Sequence, residues 1–124
     1  MQVFHERRAQ RSESKREALM LQLRTCATKA GADALVLADQ QGRVIARSDR
    51  LAIAENLASF VPFFTENKAT FGQIRVEGLT RPVAIRPFRL GSSTAYLCAV
   101  GADRQTIGGV FLQATAGIRR IMSP

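Results

Sequence analysis

One stretch limits what this chain can fold into more than any other: Gly31-Ala32-Asp33-Ala34-Leu35-Val36-Leu37-Ala38-Asp39-Gln40-Gln41-Gly42-Arg43-Val44-Ile45-Ala46-Arg47-Ser48. It predicts a helix end, a strand, a tight turn and a second strand. Gly31 can close a helix because a left-handed backbone costs glycine nothing. Residues 34–38 are short, apolar and uncharged, the pattern of a strand covered on both faces. Residues 39–42 have turn chemistry: an Asp that can accept a backbone bond from two residues on, and a Gly that takes positive φ. Residues 43–47 then alternate, with Arg43, Ile45 and Arg47 on one parity and Val44 and Ala46 on the other, so one side faces solvent as on an edge strand.

The 124 residues predict one domain, large enough to hold a core without staples. No apolar run approaches the ~18 residues of a membrane span, and the N-terminus is too charged for a secretory signal. Cys26 and Cys98 fall in an apolar helix face and an apolar strand, which predicts two buried, reduced thiols and a cytoplasmic location. The net charge is +8. Residues 1–24 carry Arg7, Arg8, Arg11, Lys15, Arg16 and Arg24 against Glu6, Glu13 and Glu17, and the remaining excess is scattered. That spread favours a solvated basic surface over a polyanion site.

Residues 12–30 predict the first helix, with Ser14 and Glu17 as a capping box and Ser12 as another start. Its buried stripe is Leu19, Leu23, Cys26 and Ala30, flanked by Met20 and Ala27, with Gln22, Thr25 and Lys29 on the far side. Residues 1–13 are expected to be a basic tail and residues 14–124 the single domain. Asp49 caps a second helix over about residues 50–67, with a core stripe of Ile53, Leu57, Phe60 and Phe64. Leu51, Ala54, Ala58, Val61 and Phe63 are apolar as well. This helix is either deeply buried or has two packing partners, and the width of its apolar surface favours the second. Pro62 should kink or split it.

Residues 71–77 alternate, with Gly72, Ile74 and Val76 on one face and Gln73, Arg75 and Glu77 on the other. A turn follows from Gly78 to Arg81. Residues 82–90 form a strand in which Pro87 requires a bulge or an outward-facing N–H position. Residues 94–100 are apolar on both faces, as in a central strand. Asp103 caps a last helix with the stripe Ile107, Val110, Phe111, Ala114, Ile118 and Ile121, and Arg119 and Arg120 complement its C-terminal dipole. Gly108-Gly109 suggests a close approach to the sheet or to a ligand.

The chain lacks the usual catalytic constellations. His5 is the only histidine, which disfavours a triad, a histidine metal site and a histidine switch. There is no CxxC, no Walker A loop and no GxGxxG after a strand. Residues 101–103 could present N–H groups to an anion, but they read more simply as a strand-to-helix turn. Asp33, Asp39 and Asp49 read as turn and cap residues rather than metal ligands. With one tyrosine (Tyr96) and no tryptophan, the supply of base-stacking rings is poor. A non-enzyme without a cofactor is the expectation.

The elements run α-β-β-α-β-β-β-α, which predicts an α+β fold with one five-stranded antiparallel sheet sandwiched by helices. The pattern of residues 31–46 (Gly-x-Asp, apolar strand, Asp, turn Gly, strand ending in small residues), the apolar second helix and the strands of residues 71–100 resemble the roadblock/dynein-light-chain family, including its bacterial members. The resemblance spans about residues 14–121. It implies a homodimer in which the edge strands after the second helices pair and the second helices pack together. On this chain that interface would take Asn56, Ser59, Phe60, Phe63, Phe71, Gln73, Ile74, Arg75 and Val76. It also implies a non-catalytic regulator or scaffold whose partner is a Ras-like small GTPase or another protein. The alternative is a small-ligand sensory domain of GAF or PAS type, with Thr94, Tyr96 and Thr106 as the polar groups available. A nucleic-acid reading rests on charge alone.

Overall fold

A computed structural model of the chain describes residues 2–48, 51–59, 61, 70–76, 78–102 and 104–123. The elements are α1 (Gln2–Ala30), β1 (Ala34–Ala38), β2 (Val44–Arg47), α2 (Leu51–Ser59), β3 (Thr70–Val76), β4 (Leu79–Leu90), β5 (Ser93–Val100) and α3 (Arg104–Met122). The five strands form one antiparallel sheet in the order β2-β1-β5-β4-β3, so β2 and β3 are its edges and β5 its centre. Helices α1 and α3 cover one face, where Leu23, Leu35, Leu37, Leu97, Phe111 and Ile118 are buried together. Helix α2 covers the other, over Ala34, Val36, Val83, Ile85 and Cys98. This is the expected α+β sandwich. All five residues of β1 are buried, as a strand covered on both faces requires.

The opening hairpin forms as its local chemistry dictates. Gly31 sits at φ +64°. The Ala32 N–H donates to the Ala27 carbonyl at 2.8 Å and the Gly31 N–H to that of Thr28 at 3.2 Å, a Schellman cap. At the turn, Asp39 Oδ1 accepts the N–H groups of Gln41 (3.0 Å) and Arg43 (2.9 Å), and Oδ2 accepts Arg43 Nε at 2.9 Å. Burial alone would raise the Asp39 pKa, but these donors outweigh it and hold the carboxyl below the usual aspartate range. A depressed folded value contributes stability above the unfolded pKa, and that contribution is lost as pH falls through the folded one. Asp39→Ala is expected to cost about 1 kcal/mol at pH 7. Urea midpoints of wild type and Asp39→Asn should differ at pH 7 and converge toward acid. Ser48, at the far end of β2, is buried and locks the seam: its hydroxyl accepts the Leu35 N–H at 2.7 Å and its N–H donates to the Leu35 carbonyl at 2.9 Å.

Several boundaries differ from expectation. Helix α1 begins at Gln2, so Ser14 lies inside it and no capping box forms. No glycine or proline interrupts residues 2–13, and their Arg, Gln, Glu and Ala content favours helix. The predicted stripe is otherwise present, except that Gln22 faces α3, with Nε2 3.4 Å from the Gln113 carbonyl. In α2 the residues packed on the sheet are Leu57, which belongs to the predicted stripe, and Ala54 and Ala58 beside it, followed by Val61. Small residues let the helix approach the sheet closely, so part of its apolar surface is spent on its own core. Asp49, Phe60, Pro62, Phe63, Phe64, Glu77 and Asp103 lie outside the described residues, and with them the predicted kink and caps.

Of the turn expected from Gly78 to Arg81, Gly78 is turn at φ +80° and the rest is ladder: Val76 pairs with Leu79, Arg75 with Thr80 and Ile74 with Arg81. Leu79, Thr80 and Arg81 are exposed, so no burial pattern advertised them as strand. Pro87 sits in continuous register opposite Tyr96, without a bulge. The Pro82 carbonyl accepts the Gly101 N–H and so points toward β5. Pointing direction alternates along a strand, so position 87 points away from β5, on the side where β3 stops at the Thr70–Ile85 pair. The missing N–H of Pro87 costs no ladder bond, which is the outward-facing alternative. Gly108 and Gly109 are both exposed, and an added Cβ would meet nothing. They mark no close approach. That role belongs to Gly117, where an added Cβ would collide with the Gln22 side chain.

Candidate functional site

The same parity argument locates the donors of β3. Gln73 pairs with Pro82, whose carbonyl is turned toward Gly101, so this is a pair whose backbone groups point away from each other. The Gln73 N–H therefore points out of the sheet edge, and those of Phe71 and Arg75 point the same way. An edge strand with a row of outward N–H and C=O groups is a template for another strand.

Of the predicted interface residues, the structure brings Phe71, Gln73, Ile74, Arg75 and Val76 together on this edge strand. Phe71 (40% exposed), Gln73 and Arg75 lie on the face that carries α3, while Ile74 is half-buried and packs toward the α2 side. Ser59 is exposed at the end of α2, and Asn56 lies in the same helix. Phe60 and Phe63 are outside the described residues.

Beside β3 the α1/α3 layer stops short. An open groove of about 300 Å³ runs between Phe71, Gln73 and Pro82 on the sheet and Ala102, Arg104 and Ile107 at the start of α3. The Arg104 guanidinium carbon lies over the Phe71 ring, 4.6 Å from its centroid. No described residue lining this groove is acidic. The nearby Asp33 carboxylate is engaged elsewhere, with Oδ2 3.6 Å from Arg81 Nε. Arg104 and Pro82 went unmarked in the sequence. The available signal was Phe71, an aromatic residue sharing strand parity with Gln73 and Arg75 and therefore on a polar face.

A second open groove, about 610 Å³, lies at the opposite end of the sheet between Ile45, Leu90, Ala95, Arg119 and Met122. Arg119 does more there than complement a dipole: its Nε donates to the Arg89 carbonyl at 3.2 Å and its guanidinium covers Phe88.

The remaining candidates do not assemble into a chemical site. Cys98 is fully buried in β5, and burial pushes its thiol up to about 12, so it stays protonated. Burial also raises Cys26, against smaller opposing effects of Lys29 and Gln22. Asp33 and Asp39 stand at opposite ends of β1, and no three His, Cys, Asp or Glu among the described residues could share a metal. Tyr96 packs on the α2 side while Thr106 is exposed on α3, so the polar groups of the sensory-domain alternative do not converge. No described helix is long and apolar enough to cross a membrane.

Neither a family model nor a curated protein matches the sequence. Solved structures do match the fold. MglB in a tetrameric arrangement superposes with a TM-score of 0.62 at 17% identity, over 87% of this chain and 90% of that one. The gliding protein MglB from Thermus thermophilus gives 0.59 at 16% identity, over 87% and 90% of the two chains. MglB from Myxococcus xanthus gives 0.56 at 18%, over 83% and 93%. The likeness therefore spans most of the chain, which carries the roadblock-like fold of these MglB structures.

Proposed function

We propose that this chain is a non-catalytic, homodimeric protein-binding module that regulates or scaffolds a Ras-like small GTPase. The observation that carries the reading is the β3 edge, whose outward N–H groups at Phe71, Gln73 and Arg75 are set to receive an antiparallel copy of the same strand within a roadblock-like fold. Two such sheets would join into ten strands, with Asn56 and Ser59 of α2 flanking the seam. One of the similar MglB structures is a tetrameric arrangement, so that protein assembles through copies of itself. Residues 14–124 form the module in this reading, and residues 1–13 are its basic extension.

Light scattering on a sizing column tests the dimer. Wild type is expected at twice 13.6 kDa, and Gln73→Pro at the single-chain mass with an unchanged far-UV spectrum. That substitution removes one outward N–H and no bond to β4, so the fold survives it. A monomer at every concentration overturns the dimer. For the partner, immobilised protein should retain a purified Ras-like GTPase in one nucleotide state and release it in the other. Retention in neither state overturns the regulatory part.

A further inference from the structure

We propose that the groove between β3 and the first turn of α3 docks an acidic segment of a partner protein. Arg104 would hold the carboxylate, and Phe71 with Pro82 would seat a neighbouring apolar side chain. The inference deepens the proposed function by naming the chemistry of the partner surface. It rests on that reading only in taking the ligand to be a protein, because every lining residue comes from one protomer.

Three features support it. First, Phe71 is a large apolar side chain left 40% exposed on an otherwise polar strand face, in the groove that the buried Ile107 also lines. Exposed aromatic surface with a charged neighbour is the usual make-up of a contact anchor. Second, Arg104 is stacked on that ring. Stacking uses the flat face of a guanidinium and leaves the N–H donors around its rim, where they match the two oxygens of a carboxylate. The ring also restrains the side chain, so less rotamer freedom is lost on binding. Third, the charge is one-sided among the described residues: Arg104 lines the groove, Arg75 follows on the same face of β3, and no described lining residue is acidic.

The same features disfavour a nucleic acid. The face of Phe71 that could stack a base is already taken by Arg104, and two arginines are too few for a tracked phosphate backbone.

The test is a titration of the full-length, nitrogen-15-labelled protein, followed by amide resonances. The probe is a capped heptapeptide of alternating aspartate and leucine, and its control has asparagine in place of aspartate. The acidic peptide should move the amides of Phe71, Gln73 and Arg104, and the asparagine control should bind about tenfold more weakly, as loss of a charge-assisted hydrogen bond predicts. Arg104→Gln should weaken the acidic peptide by about the same factor. Arg104→Lys should restore only part of the affinity, since an ammonium keeps the charge but not the fork. Three results would overturn the proposal: no shifts in the groove, equal binding of the two peptides, or larger groove shifts from an oligothymidylate. Mass is measured on the same samples, so peptide binding by a monomer supports the groove while sinking the dimer, and a dimer without peptide binding does the reverse.

Discussion

Replacing Phe111 by alanine is expected to lower the unfolding free energy by about 3–5 kcal/mol. Phe111 is 1% exposed, the largest fully buried side chain in the described core. It projects from the middle of α3 into the layer formed with Leu23, Leu35, Leu37 and Leu97. Its truncation removes both the transfer energy of a ring and the contacts of every neighbour that cannot collapse into the space. Against a typical total of about 5–15 kcal/mol, that is a large share of the fold. Urea melts should show a lower midpoint at unchanged slope, because the surface exposed on unfolding is nearly the same. A loss below about 1 kcal/mol would mean that α3 does not pack on the sheet through this residue.

Gly101→Ala is the second large effect, expected at about 2 kcal/mol or more. Gly101 ends β5 at φ +78°, a conformation that costs an L side chain about 1–2 kcal/mol. An added Cβ would also strike the Asp33 carboxylate, which holds Arg81, while the Gly101 N–H must keep its 2.8 Å bond to the Pro82 carbonyl. The two contributions are separable. Removing the carboxylate with Asp33→Ala should recover the collision part of the Gly101→Ala penalty and leave the backbone part. Thermal melts of the four proteins in that cycle measure both. Full additivity would mean that Gly101 and Asp33 do not meet.

These residues also show what the chain's letters could and could not tell. The turn at Asp39, the Gly31 cap and the α3 stripe depend on neighbours within one or two turns, and each was legible. Gly101 and Gly117 owe their importance to Asp33 and Gln22, far away in sequence, so nothing local distinguished them from Gly108 and Gly109. In residues 51–61 apolar residues lie on more than one side of the helix, and periodicity alone does not choose which of them meet the sheet. Leu57 of the predicted stripe packs there together with Ala54 and Ala58, where backbones can approach. The start of β4 was hidden because Leu79, Thr80 and Arg81 are exposed and carry no alternating burial. Of the candidate surface, the β3 strand followed from alternation, and its role as an edge from the family resemblance. Arg104 was invisible because its partner, Phe71, lies on another element.

The strand order carries a consequence for how the chain reaches its native state. β1–β2 and β3–β4–β5 are local units that can form by short-range closure. The seam between β1 and β5 joins Ala38 to Tyr96 and Ala34 to Val100, across about half of the chain. Closing a loop of that length must precede the reward of burying β1, so the seam governs the refolding rate. During synthesis, β1 with its five apolar residues emerges long before β5 exists to cover its inner edge. For that interval the chain exposes an uncharged strand edge, the form most prone to pair with the wrong molecule. The folding hazard of this protein thus sits in its most deeply buried strand.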